Sequence, residues 1–322
     1  MRFVYIMDPM ERLNYEKDTT VAFIKAAQDR GHESLHTRFS DLFVQDGDVH
    51  ATVRPVRVTK TAPFFTYGEP EDVRLADVSG VLIRKDPPFD SAYLYGTLML
   101  ERVRDRTVLM NDPRGLRDAN EKLYALHFSR HMPKTFVGAS AKKIFEFTDS
   151  VGTAVIKPLY GAGGMGVLML NRADKNARSI VDILTEEGTR SVMVQEYLPA
   201  VTSGDRRVLL LDGEVLGAIN RVPRADDIRS NIHVGGTVVP HTLDDAEKKI
   251  VADITPRLKK DGLHFVGLDI IGGKLTEVNV TSPTGIQELS AHMQKDVAIH
   301  VIQWLERRAE EYRPVLRSIP NI

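Results

Sequence analysis

Apolar residues arrive in short runs broken by charged and turn-forming residues, the rhythm of a chain that mixes strands and helices. Residues 2–7 form one such run, stopped by Asp8 and Pro9, which predicts a buried strand. Asp18 or Thr19 then caps a predicted helix reaching Arg30, with Gly31 as its terminator. Residues 78–83 read as a second strand, closed by Arg84, Lys85, Asp86 and the Pro87-Pro88 breaker, and a helix over 91–104 and a strand over 107–110 follow. The pattern predicts a small α/β domain with a parallel sheet. Ligands of such sheets sit at the carboxyl ends of strands, where Asp8 and the 84–86 cluster fall, although a polar residue there also simply begins a solvated loop.

A helix is predicted over 115–130, carrying Asn120, Glu121 and Lys122, and from 134 onward the chain changes to strands and glycine loops. Strands are expected at 151–158, 167–171 and 191–197, with a helix over 177–188. A hairpin turns at Asp212-Gly213 within 207–220, a polar glycine-ended loop spans 226–236, and an amphipathic helix covers 243–261. A last helix is expected over 296–311, with 314–322 trailing over the surface.

Residues 265–284, FVGLDIIGGKLTEVNVTSPT, carry the most specific pattern. Strand side chains alternate faces, so a one-residue slip exchanges the faces entirely. A turn made only of Gly272 and Gly273 would set Leu268 opposite Glu277 and mix charged with apolar residues. A three-residue loop, 272–274, sets Asp269 opposite Glu277 and Gly267 opposite Asn279, with Leu268/Val278 and Val266/Val280 on the buried face. Asp269, Glu277 and Asn279 would then offer three oxygens on one face, the donor set of a hard cation such as Mg²⁺. The alternative is a hairpin whose acids point into solvent.

Composition narrows the classes. The chain has 322 residues, 42% apolar and 27% charged, as an ordinary globular protein of two or three lobes does. With 43 basic against 44 acidic residues, no overall field favours nucleic acid or an anionic membrane. The absence of cysteine removes disulfides, thiolate metal sites and a cysteine nucleophile. The apolar run at the start is short, and no stretch nears the roughly 20 residues of a membrane span, so a cytoplasmic, soluble protein is expected.

Three further segments bear chemistry. Lys157 precedes YGAGGMG, where Gly161, Gly163, Gly164 and Gly166 would let backbone amides approach phosphate oxygens. No GK[ST] follows and a strand rather than a helix comes next, so this is neither a Walker loop nor the dinucleotide fingerprint, and a plain glycine turn is the alternative. Gln195, Glu196, Tyr197, Leu198 and Pro199 leave a strand as an extended connector whose Glu196 carbonyl and Leu198 amide can pair with an adenine edge; Asp205 lies within reach of a ribose. A linker touching no ligand is the other reading. Arg206, Arg207 and Arg221 bracket one hairpin, so a shared anion site is plausible at its end.

The chain resembles the ATP-grasp ligases, and among them the bacterial glutathione synthetases. The likeness rests on MDP near the start, IRKDPPFD at 83–90, LRDANEKL at 116–123, IKPLYGAGGMGV at 156–167, EYLP at 196–199, GDRRVL at 204–209 and the whole of 265–286. The charged loop 224–236 departs most from the family's glycine-rich lid. The resemblance implies an ATP-grasp fold of mixed α/β and α+β class behind a Rossmann-like N-terminal domain. The lobes expected are 1–120, 121–200 for the lid, and 201–322 with the metal site. It further implies an ATP-dependent ligase that phosphorylates γ-glutamylcysteine and joins it to glycine, releasing ADP and phosphate. Lys122 and Lys157 would contact ATP phosphates; the 161–166 loop would close over them, and residues 195–198 and Asp205 would hold the nucleoside. Two Mg²⁺ ions, or Mn²⁺, would sit on Asp269, Glu277 and Asn279. Arg207 would stabilise the acyl phosphate, Arg221 a substrate carboxylate, and Arg84, Asn231, Ser282 and Thr284 would orient the substrate. The family implies a homotetramer. A ligase for another acid or amine, and an ATP-binding protein without turnover, are the competing readings.

Overall fold

The structure is a computed structural model, and it describes residues 1–161, 163–223 and 237–317. Three sheets organise these residues. In the first, Arg2–Ile6 pairs in parallel with Glu33–Thr37 and Gly80–Ile83, and the latter pairs in parallel with Val108–Met110. This is the expected βα arrangement. Helix Thr19–Asp29 starts where predicted because the Asp18 side chain accepts from the Val21 amide at 2.8 Å. An antiparallel extension built on Asp48–Val58 goes beyond the sequence expectation and widens the sheet to eight strands.

The second sheet is antiparallel and four-stranded, from Leu168–Leu170, Ala154–Pro158, Val192–Glu196 and Thr135–Gly138. Its strand Ala154–Pro158 begins later than expected, because helix Ala141–Val151 runs to Gly152, whose φ of 79° ends it. This sheet has a core of its own around Ile144, Ile156, Val181 and Val194. The first and third sheets instead share their cores: Phe3, Phe23, Phe265 and Trp304 belong to one cluster, Val4, Leu116, Val208 and Leu268 to another.

The third sheet runs Thr237–His241, Glu214–Val222, Asp205–Leu211, Phe265–Ile271 and Lys274–Asn279. Helix Asp245–Lys260 covers it, opened by a capping box in which Asp244 and Glu247 each accept the other's backbone amide. The terminal helix Ala298–Arg317 runs past the predicted end at 311, which leaves no room for a tail starting at 314. The expected loop 226–236, with Asn231, lies outside the described residues.

The predicted helix over 115–130 is corrected in a way that matters for the site. It is a short helix Pro113–Asp118 and a separate 3-10 segment Tyr124–His131. Ala119 leaves the helical region at φ −100°, ψ 74°, and the Asn120 side chain then accepts from the Lys122 and Leu123 amides at 3.2 and 3.0 Å. Glu121 and Lys122 are thereby turned out of any helix and toward the third sheet.

Candidate active site

A cleft of about 570 Å³ opens where the three sheets meet. Its floor is one face of the five-stranded sheet. There Asp205 pairs with Arg221, Arg207 with Asp269, Asp269 with Glu277, and Gly267 with Asn279, so six functional side chains stand on adjacent strands in neighbouring rungs. The expected register of the acidic hairpin holds, and Leu268 and Val278 are fully buried on the other face. The turn does not hold: Ile270 pairs with Leu275 and Ile271 with Lys274, so Gly272 and Gly273 alone make the turn. A bulge between Asp269 and Ile270 restores the register, with Thr276 donating its hydroxyl to the Asp269 carbonyl at 3.1 Å.

Charges on this floor are paired with one another. Arg207 grips Asp269 with two of its three nitrogens, Nε to Oδ1 at 2.6 Å and Nη2 to Oδ2 at 3.0 Å. Arg221 lies 3.0 Å from the same Oδ1 and also bonds Asp205. Both arginines of the expected anion site thus face Asp269, and Asp205, the carboxylate expected at a ribose, bonds Arg221. Burial alone would raise the Asp269 carboxyl; the Arg207 and Arg221 guanidiniums outweigh it and hold the group well below the usual carboxylate range. Burial likewise works against the Arg221 charge, and Asp205 and Asp269 more than compensate.

Lysines approach from two other segments. Lys122 Nζ sits 3.0 Å from Glu277 Oε1. Burial opposes its charge, Glu277 restores it, and its pKa ends above the ordinary lysine value. Lys157, on strand Ala154–Pro158, faces the same carboxylates, yet burial wins and its amine is pushed below the ordinary value. Past it, Gly161 and Gly163 have φ of 97° and 68°, and a Cβ at either would meet nothing within 4 Å. Glycine is required there by backbone conformation, and the space above the loop amides is open. Gly164 also lines the cleft, whereas Gly166 turns away, its Cβ position 3.0 Å from the Pro158 ring.

Gln195, Glu196, Tyr197 and Leu198 form one wall, and Ser282 and Thr284 another. Gln195 is fixed by a 3.0 Å bond from Nε2 to Thr135 Oγ1. Arg84 is the exception. It was expected to meet substrate directly, but it is 4% exposed, lies between the Phe23 and Phe265 rings, and bonds Thr20 Oγ1 at 3.1 Å and the Pro283 carbonyl at 2.9 Å. Its hydrogen bond to the Pro283 carbonyl links it to the 282–284 wall of the cleft.

Glu121 was missed as a site residue. It lines the cleft, and its Oε1 accepts from Val280 and Thr281. Burial first and Glu277 second raise its carboxyl pKa. Its place inside LRDANEKL, between an asparagine and a lysine, was the available signal, but a continuous helix would have pointed it elsewhere. Arg12, Asn14, Lys17 and Asp18 also line the cleft, at the carboxyl end of the first strand where the α/β rule puts ligands.

Asp269, Glu277 and Asn279 fit a hard cation by donor chemistry. All three line the cleft from one face, and Asn279 donates its amide nitrogen to the Gly267 carbonyl at 3.3 Å, which leaves its oxygen for a cation.

Residues 1–117 match the family model for the prokaryotic glutathione synthetase N-terminal domain, and residues 121–294 that for the prokaryotic glutathione synthetase ATP-grasp domain. The chain belongs to the prokaryotic glutathione synthetase family. It is an ATP-dependent ligase of EC class 6.3.2 that synthesises glutathione. Glutathione synthetase of Synechococcus elongatus is 45% identical over 300 residues, covering 90% of this chain and 93% of that protein. The Escherichia coli enzyme is 39% identical over 309 residues, covering 95% and 98%. Among solved structures, the D-cycloserine synthetase DcsG superposes with a TM-score of 0.65 at 16% identity, over 96% of this chain and 99% of that one. The ATP-grasp ligase PsnB, complexed with minimal precursor, Mg and ADP, gives 0.63 at 18%, over 95% and 97%. At such identities the likeness is one of fold, and the fold is the ATP-grasp architecture expected from the motifs. Among the described residues no helix is long and apolar enough to cross a membrane.

Proposed function

We propose that this cleft makes glutathione through an acyl phosphate, with the residues of its floor and walls in the following roles. The carboxylate oxygen of the cysteinyl end of γ-glutamylcysteine attacks the γ-phosphorus of ATP, and ADP leaves. The glycine amine then attacks the acyl carbon, loses its proton, and expels inorganic phosphate. No protein nucleophile is required, because positioning and charge neutralisation supply most of the catalysis in phosphoryl transfer.

Lys122 and Lys157 hold the phosphates, and Gly161, Gly163 and Gly164 present amides over them. The 195–198 wall takes the adenine. Asp269, Glu277 and Asn279 would hold two Mg²⁺ ions, with Mn²⁺ an acceptable substitute, and the bound metal would supply positive charge to the phosphates. Arg207 faces the acyl phosphate and Arg221 a substrate carboxylate; Ser282 and Thr284 orient the dipeptide, Arg84 acting through Pro283. The single observation that carries the reading is the meeting of Lys122, Lys157 and the Asp269–Glu277 pair in one cleft, from three separate segments. The reading includes lobes at 1–120, 121–200 and 201–322 and a homotetramer, which light scattering after gel filtration tests.

Phosphate release is the test, with Mg²⁺, ATP and γ-glutamylcysteine, supplied separately with glycine, alanine, β-alanine or no amine. Release that depends on both dipeptide and glycine is expected. Turnover with D-alanine and none with the dipeptide would overturn the substrate assignment.

A further inference from the structure

Residues 280–284 carry Ser282 and Thr284 into the cleft but belong to no helix or strand. Charged side chains from three other parts of the chain hold their backbone instead. Arg207 donates from Nη1 to the Thr284 carbonyl at 3.0 Å, and Arg84 from Nη2 to the Pro283 carbonyl at 2.9 Å. Those two fix the carboxyl-terminal half of the segment. Its beginning is held by Glu121 alone among the described charged residues: one oxygen, Oε1, accepts from the Val280 and Thr281 amides at 2.9 and 3.1 Å and from the Thr281 hydroxyl at 2.8 Å.

Glu121 is itself anchored on both sides. Its carbonyl accepts the Val278 amide at 3.0 Å, within the strand that carries Glu277 and Asn279. Asn120 donates from Nδ2 to the Leu159 carbonyl at 2.8 Å, at the root of the glycine loop, and Lys122 pairs with Glu277. Two consecutive amides and a hydroxyl converging on one oxygen form a donor set suited to a carboxylate, since charge-assisted bonds are about twice as strong as neutral ones.

We propose that Glu121 is a positioning residue for the dipeptide acid: by fixing the path of 280–281 it sets Ser282 and Thr284 at the angle the dipeptide needs. This rests on the reading above, in which Ser282 and Thr284 orient γ-glutamylcysteine. A purely structural Glu121 would alter stability without separating the two substrates, so the separation is the readout.

The full chain is assayed as wild type, Glu121→Ala and Glu121→Gln, varying γ-glutamylcysteine and ATP independently, with thermal melts alongside. Glu121→Ala leaves three donors without an acceptor, and the dipeptide KM is expected to rise about tenfold or more while the ATP KM stays within about threefold. Glu121→Gln keeps an acceptor oxygen and is expected to bring the dipeptide KM back to within about threefold of wild type. An unchanged dipeptide KM in Glu121→Ala, an equal rise in both KM values, or a glutamine variant as impaired as alanine would overturn the proposal. If Glu121→Ala does not fold, Thr281→Val removes one donor from the opposite side: a dipeptide KM raised about threefold supports the proposal and an unchanged one overturns it. Failure of the wild type to use the dipeptide at all would overturn the underlying reading, and is seen before any variant is compared.

Discussion

Arg207 and Asp269 are cross-strand partners that form two hydrogen bonds, at 2.6 and 3.0 Å, and both side chains are 6% exposed. Arg221 completes the neutralisation from the next strand, 3.0 Å from Asp269 and bonded to Asp205. Removing it takes away a guanidinium that both Asp205 and Asp269 contact.

Arg221→Ala is therefore expected to lower stability by roughly 3–5 kcal/mol, because breaking a buried ion pair leaves uncompensated charge. The sign of its pH dependence follows from Asp269. A carboxyl whose folded pKa is depressed stabilises the protein above its unfolded value and loses that contribution as pH falls through the folded value. Without Arg221 the depression shrinks, so acid unfolding followed by circular dichroism should begin at higher pH in the variant. Identical acid midpoints would show that Arg221 does not tune this carboxylate.

Glu277 is 23% exposed, lines the floor of the cleft beside Asp269 and pairs with Lys122. Glu277→Gln keeps its shape and removes its charge. The expected result is a fall in kcat of about a thousandfold or more with a melting temperature within a few degrees of wild type, as for other losses of transition-state charge stabilisation. Near-normal phosphate release would argue against a metal role for this residue.

The hairpin register was legible because two-residue periodicity on a half-buried sheet leaves one arrangement that keeps Leu268 and Val278 away from Asp269 and Glu277. The bulge was not, since a three-residue turn and a two-residue turn with a bulge give the same facing residues beyond it. The break at Ala119 hid Glu121, because helical spacing of apolar residues continues through it and only the capping ability of Asn120 hints otherwise. Arg84 was misplaced for another reason. A charged residue after a strand reads as solvated, and only the folded chain brings Phe23 and Phe265 to its two sides. Strand Asp48–Val58 went unseen because Pro55 interrupts it and shifts its apolar alternation from Val49, Ala51 and Val53 to Val56 and Val58.

Lys157 illustrates a conflict between stability and function. Its amine is held below the ordinary value by burial, so keeping it charged at neutral pH weighs against folding. A depressed lysine costs stability fully below its folded pKa, and the cost vanishes as pH rises through the unfolded value, about 10.4. Lys157→Met should raise the melting temperature at pH 7 by roughly 1–3 °C, with the gain shrinking toward pH 10, while ATP-dependent phosphate release is lost. A lower melting temperature at pH 7 would mean that Glu277 and Asp269 already repay the burial.

Gly115 tests how the site's lysine is delivered. A Cβ there would lie 2.2 Å from the Asp261 carbonyl oxygen, a backbone atom with little freedom to retreat. Gly115 belongs to helix Pro113–Asp118, whose end releases Asn120, Glu121 and Lys122 toward the cleft. Gly115→Ala must push that helix off the turn after helix Asp245–Lys260, an overpacking change worth roughly 1–3 kcal/mol. Gly31→Ala supplies the contrast: φ is 77° and nothing lies within 4 Å of its Cβ, so only the roughly 1 kcal/mol of left-handed strain applies. Chemical denaturation should rank Gly115→Ala as the more destabilised, and only that variant should lose ATP affinity, because only it displaces Lys122. Equal effects on both stability and ATP binding would show that close approach to Asp261 does not set the position of the lysine.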